Sequence, residues 1–335
     1  MSGIEGARAG DPVRVRDVER ILATLDANGR LDGLPFMPEM IVYAGQATTV
    51  YKRADKTCDT INMSGTTRRM KNSVHLTGAR CDGSAHGGCQ AGCLLFFKEE
   101  WLEWSDGKQV VHSEGWGSPP ATIDTLRTDT RAGTADDGEP VYRCQATQLL
   151  RATSGLLSPY TWSQYVGDVR TGNERLHTVA AGLVVLFFNI YQRRSRRWLP
   201  QFLRIKNGDE YPFFRGTGPS PAPPPLDLRP GELVEVKTKD EILPTLNQNN
   251  CNRGLVFGID MLHYCGRQAR VLRRVERIID EVTGRMIRLR DCIVLDDVVC
   301  YSGYHGFCPR AVYAFWREAW LRRVEEPNRD ARRAG

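Results

Sequence analysis

The chain has 335 residues, of which 41% are hydrophobic, 26% charged and 9% aromatic. This composition excludes wholesale disorder, collagen and coiled coil, and the length suits two or three domains around a real core. The formal net charge is +6, carried by arginine pairs such as Arg68-Arg69, Arg193-Arg194, Arg196-Arg197 and Arg322-Arg323. So mild a surplus does not by itself mark a nucleic-acid binder.

No apolar run reaches the roughly 18 residues of a spanning helix. The opening residues lack the apolar stretch of a signal peptide, so a cytoplasmic location is expected. Ten cysteines in a reducing compartment point to metal ligands or catalytic thiols rather than disulfides.

In chain order, Gly10–Arg16 alternates behind a turn residue and predicts a half-buried strand. A short helix follows at Val18–Leu25, then β-rich segments at 47–53 and 73–80. The loop Cys81–Cys93 leads into a helix predicted at about 90–104, with aromatics on one side. Residues 105–230 read as an insert: loop-like to about 140, then Val141–Leu150 with Cys144, then a helix over Leu176–Leu203. That helix carries an apolar run and ends in Arg193-Arg194-Ser195-Arg196-Arg197, the pattern of a buried helix with a solvated basic end or of a membrane-surface helix. Gly216–Pro230 is a polyproline-type linker. The pattern then starts again: a strand at Gly231–Lys237, a short helix at Lys239–Leu246, strands at 268–274 and 285–300, a Cys/His loop and a helix at 309–323. Leu295-Asp296-Asp297-Val298 can turn a hairpin, and the tail beyond 325 reads as disordered.

The recurrence is a duplication. Gly10–Asp59 lies over Gly231–Asp280 without a gap, matching Val13 and Val15 to Val234 and Val236, and Phe36, Met40 and Tyr43 to Phe257, Met261 and Tyr264. After a loop of different length, Cys81, His86 and Cys89 fall on Cys300, His305 and Cys308, and Phe96, Glu99 and Trp101 on Phe315, Glu318 and Trp320. The expected fold is α+β, two homologous small SH3-like β-barrel-plus-helix modules. Its parts are 1–104, the insert 105–230, the second module 231–325 and the tail 326–335.

The two loops carry the chemistry. Cys81, His86, Cys89 and Cys93 offer three thiols and one imidazole within a glycine-rich loop, a soft donor set that suits iron, an iron–sulfur cluster or zinc. Cys89 and Cys93, placed at a helix start, would gain thiolate character from the helix end. The second loop keeps Cys300, His305 and Cys308, but Val312 stands where the fourth thiol would be. Three ligands and an open position read as catalytic, so Cys300, His305 and Cys308 are the candidate catalytic set. Cys292, Cys265 and Cys144 are candidate additional ligands or thiols. His263 sits beside Cys265, while His75, His112 and His177 have no counterpart in the other half. A Cys–His nucleophile built from His86 with Cys89 or Cys93 is the rival to a metal. Glu99 and Glu318 read as structural ion pairs, with Arg322 a suitable i,i+4 partner for Glu318.

Cys81-Asp82-Gly83-Ser84-Ala85-His86 resembles the signature of the CDGSH family. That resemblance implies a three-Cys, one-His ligand set for an iron–sulfur cluster. The whole chain is similar to an uncharacterised bacterial family with a duplicated C-x4-H-x2-C module. No phosphate-binding glycine loop, H-E-x-x-H or G-x-S-x-G is present. The expectation is therefore a cytosolic Cys/His metalloenzyme, redox-active or not, acting on a small biosynthetic substrate. The alternative is a zinc-stapled double barrel that binds nucleic acid or a protein.

Overall fold

Val13 and Val15 are fully buried and Arg14 is exposed, so the alternation at Gly10–Arg16 becomes the strand Pro12–Val15 with one face in the core. The computed structural model describes residues 4–62, 64–105, 120–219 and 224–325. Two units compose the chain. The first holds residues 1–182, 277–288 and 305–312, and the second holds 183–276, 289–304 and 313–335.

The architecture is mixed α+β, mostly strands in antiparallel sheets. The first unit has a sheet ordered Leu94–Lys98, Ser73–Arg80, Ala47–Arg53, Pro12–Val15, Leu102–Trp104. In chain order its first four strands lie side by side, and the fifth returns beside the first after a 3₁₀ turn at Glu99–Trp101. The second sheet has the same order: Trp316–Arg317, Met286–Leu295, Gln268–Ile279, Leu233–Val236, Leu321–Arg323. Its last strand also follows a 3₁₀ turn, Glu318–Trp320. Registers correspond too: Val13 opposes Thr48 in one sheet and Val234 opposes Ala269 in the other.

The cores match in detail. Phe36 meets Trp101 edge-to-face at 5.1 Å, and Phe257 meets Trp320 at 5.2 Å. Trp101 donates its indole N–H to Thr24 Oγ1 at 3.0 Å, as Trp320 does to Thr245. These buried indoles therefore place large apolar area in the core without orphaning a donor.

The helices expected at 90–104 and 309–323 are not formed. Leu94–Lys98 is a strand buried along its whole length, followed by the 3₁₀ turn and the strand Leu102–Trp104. Trp316–Arg317 and Leu321–Arg323 repeat this around Glu318–Trp320. A continuous apolar run covered on both faces has no period that separates strand from helix. The polar residues Lys98, Glu99, Arg317 and Glu318 of these segments are buried rather than solvated. Lys98 reaches Asp32 at 2.9 Å, and Glu99 pairs with Arg53 at 2.5 Å. Glu318 likewise pairs with Arg274 at 2.5 Å, not with Arg322, because extended backbone offers no i,i+4 neighbour. Arg322 instead meets Glu241 at 2.6 Å.

The predicted strand 285–300 ends at Leu295, and the turn places Asp297 at φ 54°. In the insert, residues 106–119, including His112, lie outside the described residues, as do 220–223 of the proline stretch and the tail 326–335. The rest of the insert is more regular than its composition suggests. It has helices at Ile123–Asp129, Trp162–Arg170 and Leu176–Trp198 and a hairpin of Arg131–Thr134 with Pro140–Tyr142. Among the described residues no helix is long and apolar enough to cross a membrane. Gly216–Gly218 is not a free linker. Thr217 and Gly218 donate their N–H groups to the carbonyls of Leu243 and Leu246.

Candidate metal centre

The first Cys/His loop hangs from the end of strand Ser73–Arg80. Cys81 N donates to Cys93 O at 2.8 Å and closes the loop. Inside it, the N–H groups of His86 and Gly88 both turn back onto Gly83 O. Gly83 has φ +74°, and a Cβ there would stand 2.0 Å from Cys89 O, so only glycine admits this wrap.

The turn brings His86 beside Cys81 and against Glu39, which sits on the 3₁₀ segment Pro38–Tyr43. Cys81 Sγ donates to Glu39 Oε1 at 3.2 Å and lies 3.5 Å from His86 Nε2. His86 Nδ1 is 3.3 Å from Glu39 Oε1. One carboxylate oxygen, the thiol and one imidazole nitrogen fall within 4.8 Å of one another. Glu39 and His86 side chains are 2% and 1% exposed. Their Glu39 Oε2 and His86 Nδ1 atoms are buried without a hydrogen-bond partner. Buried polar atoms without a hydrogen bond are costly and demand an explanation. Burial, then the neighbouring Glu39 carboxylate, push the Cys81 thiol far up. Burial holds His86 down against the pull of Glu39 and Asp82. The trio thus keeps neutral soft donors beside a carboxylate, and a bound dication would reverse this balance.

A cavity of about 40 Å³ adjoins the trio and is also lined by Cys89, Cys93, Cys144, Glu281 and Arg310. It has room for a water-sized guest. Cys89 and Cys93 do not sit at a helix start, so no helix end favours thiolate. Burial pushes Cys93 up to about 11 and Cys144 up to about 12. Cys89 Sγ accepts from Ile279 N at 3.3 Å. These three thiols line the cavity but are not members of the converging trio.

The second set is distributed differently. In the second unit, Cys300 and the carboxylate of Asp260 approach within 4.8 Å. His305 and Cys308 belong to the first unit. There Cys308 Sγ accepts from Cys58 N at 3.1 Å, with Arg310 beside the two thiols. Hydrogen bonds from Cys58 and the Arg310 cation pull Cys308 down against its burial. Cys292 is held between Arg290 O at 3.3 Å and the Arg317 guanidinium at 3.5 Å. Cys265 Sγ lies 4.0 Å from Met261 O, and His263 stacks on Tyr301 at 4.8 Å. His75 is buried, its Nδ1 2.9 Å from Leu95 O.

Sequence reasoning missed three residues: Glu39, Asp260 and Cys58. The first two had a signal, since Glu39 and Asp260 occupy matched positions of the ungapped repeat and both are acidic. No protein-family model, no curated protein and no solved structure matches this chain.

Proposed function

We propose that this chain is a metalloenzyme whose centre is Glu39, Cys81 and His86, holding one divalent ion, zinc or ferrous iron. The observation that carries this is the convergence of three ligand types within 4.8 Å, with Glu39 Oε2 and His86 Nδ1 buried and making no hydrogen bond among the described residues. Thiol, imidazole and carboxylate together suit zinc or iron, and three protein ligands leave a position for a substrate. A single ion fits better than a cluster, because only one of the loop's thiols belongs to the converging trio. A dication bound there supplies Lewis-acid chemistry, and iron adds electron transfer. Cys89, Cys93 and Cys144 would shape the adjoining cavity for a small substrate. We further infer that each half is an SH3-like module from one duplicated ancestor. The shared strand order, with its fifth strand returning beside the first after a 3₁₀ turn, supports this.

The test is elemental analysis of anaerobically purified protein together with its visible spectrum. About one zinc or iron per chain, lost in Glu39→Gln and in His86→Ala, supports the centre. Iron with intense visible absorbance would point to a cluster instead. Metal that stays bound in both variants would refute the ligand assignment. Metal whose removal unfolds the chain, with no activity gained on loading, would favour the structural zinc module and its nucleic-acid or protein partner.

A further inference from the structure

A second cavity in the first unit, of about 350 Å³, lies between residues 53–56, residues 69–71 and the helix Trp162–Arg170. Its lining holds four cations and two carboxylates, but the carboxylates are already occupied. Asp55 receives Arg53 Nε at 2.6 Å, and Asp168 receives Lys56 Nζ at 2.6 Å. Arg53 also pairs with Glu99. Arg69 and Lys71 are left over. Both are exposed, and among the described residues neither side chain has a hydrogen-bond or ion-pair partner. Both line this one cavity, on either side of the buried Met70. Ser163 adds a hydroxyl to the same lining.

We propose that this cavity binds a small phosphorylated metabolite, with its phosphate held by Arg69 and Lys71. Two uncompensated cations match a dianion, and a guanidinium fork with a point-charge ammonium beside it is a phosphate-binding pair. The volume sits at the low end of the roughly 300–1,000 Å³ of small-molecule sites. It therefore suits one metabolite, whereas a nucleic-acid strand needs a longer run of cations. The fixed pairs Arg53–Asp55 and Lys56–Asp168 make a rigid wall and add no repulsion to an anion. This inference does not rest on the metal centre.

The experiment is calorimetric titration of the full chain at low salt with ribose 5-phosphate, ribose and inorganic phosphate. Ribose 5-phosphate should bind, ribose should not, and inorganic phosphate should compete. In R69A/K71A the affinity should fall by at least about tenfold with the melting temperature unchanged, because both side chains are exposed. Glu39→Gln should bind as the parent does, which separates this site from the metal centre. No binding of either phosphate up to about 10 mM, a range that reaches very weak sites, would overturn the proposal. So would undiminished binding in R69A/K71A. A single-stranded oligonucleotide that binds more tightly than ribose 5-phosphate, and is lost in the same variant, would replace the metabolite with nucleic acid.

Discussion

Lys56 and Asp168 form a pair in which each side chain is 5% exposed, and removing Lys56 has a measurable pH signature. Burial raises the Asp168 carboxyl from 3.8 to about 6, although Lys56 opposes the rise. At about 1.4 kcal/mol per pKa unit, ionised Asp168 costs the fold about 3 kcal/mol. The sign follows from the direction of the shift. A carboxyl whose folded pKa lies above its unfolded value contributes stability that is full below 3.8 and is lost as pH rises to about 6. Above that, folded and unfolded chains are both ionised, and Asp168 adds no further slope. In Lys56→Met the attraction is gone and the carboxyl rises further, into the range of about 8–9 seen for buried acids without a partner. The loss then continues above pH 6. Parent and variant should run parallel below about pH 5.5 and diverge by about 1.4 kcal/mol per pH unit from 6 to 8. Urea unfolding at several pH values measures this. K56M/D168L, which removes both charges, should restore the flat profile and fold as stably as the parent or better. A pH-independent difference between Lys56→Met and the parent would show that Asp168 is not the desolvated acid described.

Three further outcomes are expected. Glu39→Gln keeps the side-chain shape but removes the charge, and should lower affinity for added zinc by at least about tenfold, read by competition with a chelator. Undiminished affinity would remove Glu39 from the ligand set. Gly83→Ala should cost about 2–3 kcal/mol, since its Cβ meets the Cys89 backbone, while Gly78→Ala, with φ +72° and nothing within 4 Å, should cost only about 1. Equal melting temperatures for the two would refute the close approach. Burial lowers His75 from 6.5 to about 3, so the unfolded chain takes up a proton that the folded chain refuses. Stability from His75 is therefore present above 6.5 and lost as pH falls, by about 1.4 kcal/mol per unit. His75→Gln should flatten that limb between pH 6.5 and 5, and an unchanged slope would contradict it.

The mixed α+β class was legible in the sequence. Hydrophobic alternation at Val13-Arg14-Val15 marks a half-buried strand because one face is wet. It fails at Leu94–Lys98 because no face is wet there, and the buried Lys98 and Glu99 imitate a solvated side. The same holds at Trp316–Arg317, where both residues are also buried. Cys81 and His86 were legible because thiol and imidazole stand out against glycine. Glu39 was not, because a glutamate in a chain with so many charged residues draws no notice until its burial is known.

The pairings of Cys89 and Cys308 show a deeper limit. Cys89 accepts from the N–H of Ile279, and Cys308 accepts from the N–H of Cys58. Ile279 and Cys58 stand at aligned positions of the two similar segments, as do Cys89 and Cys308, and all four belong to the first unit. The donor in both cases is a main-chain N–H, which any residue except proline supplies. Position 58 or 279 can therefore drift from Cys to Ile without losing the contact, and nothing at that position betrays it. The match of Cys89 to Cys308 thus has a physical basis besides metal binding. Each accepts a backbone hydrogen bond within the first unit, which leaves the trio of Glu39, Cys81 and His86 to stand as the proposed centre on its own geometry.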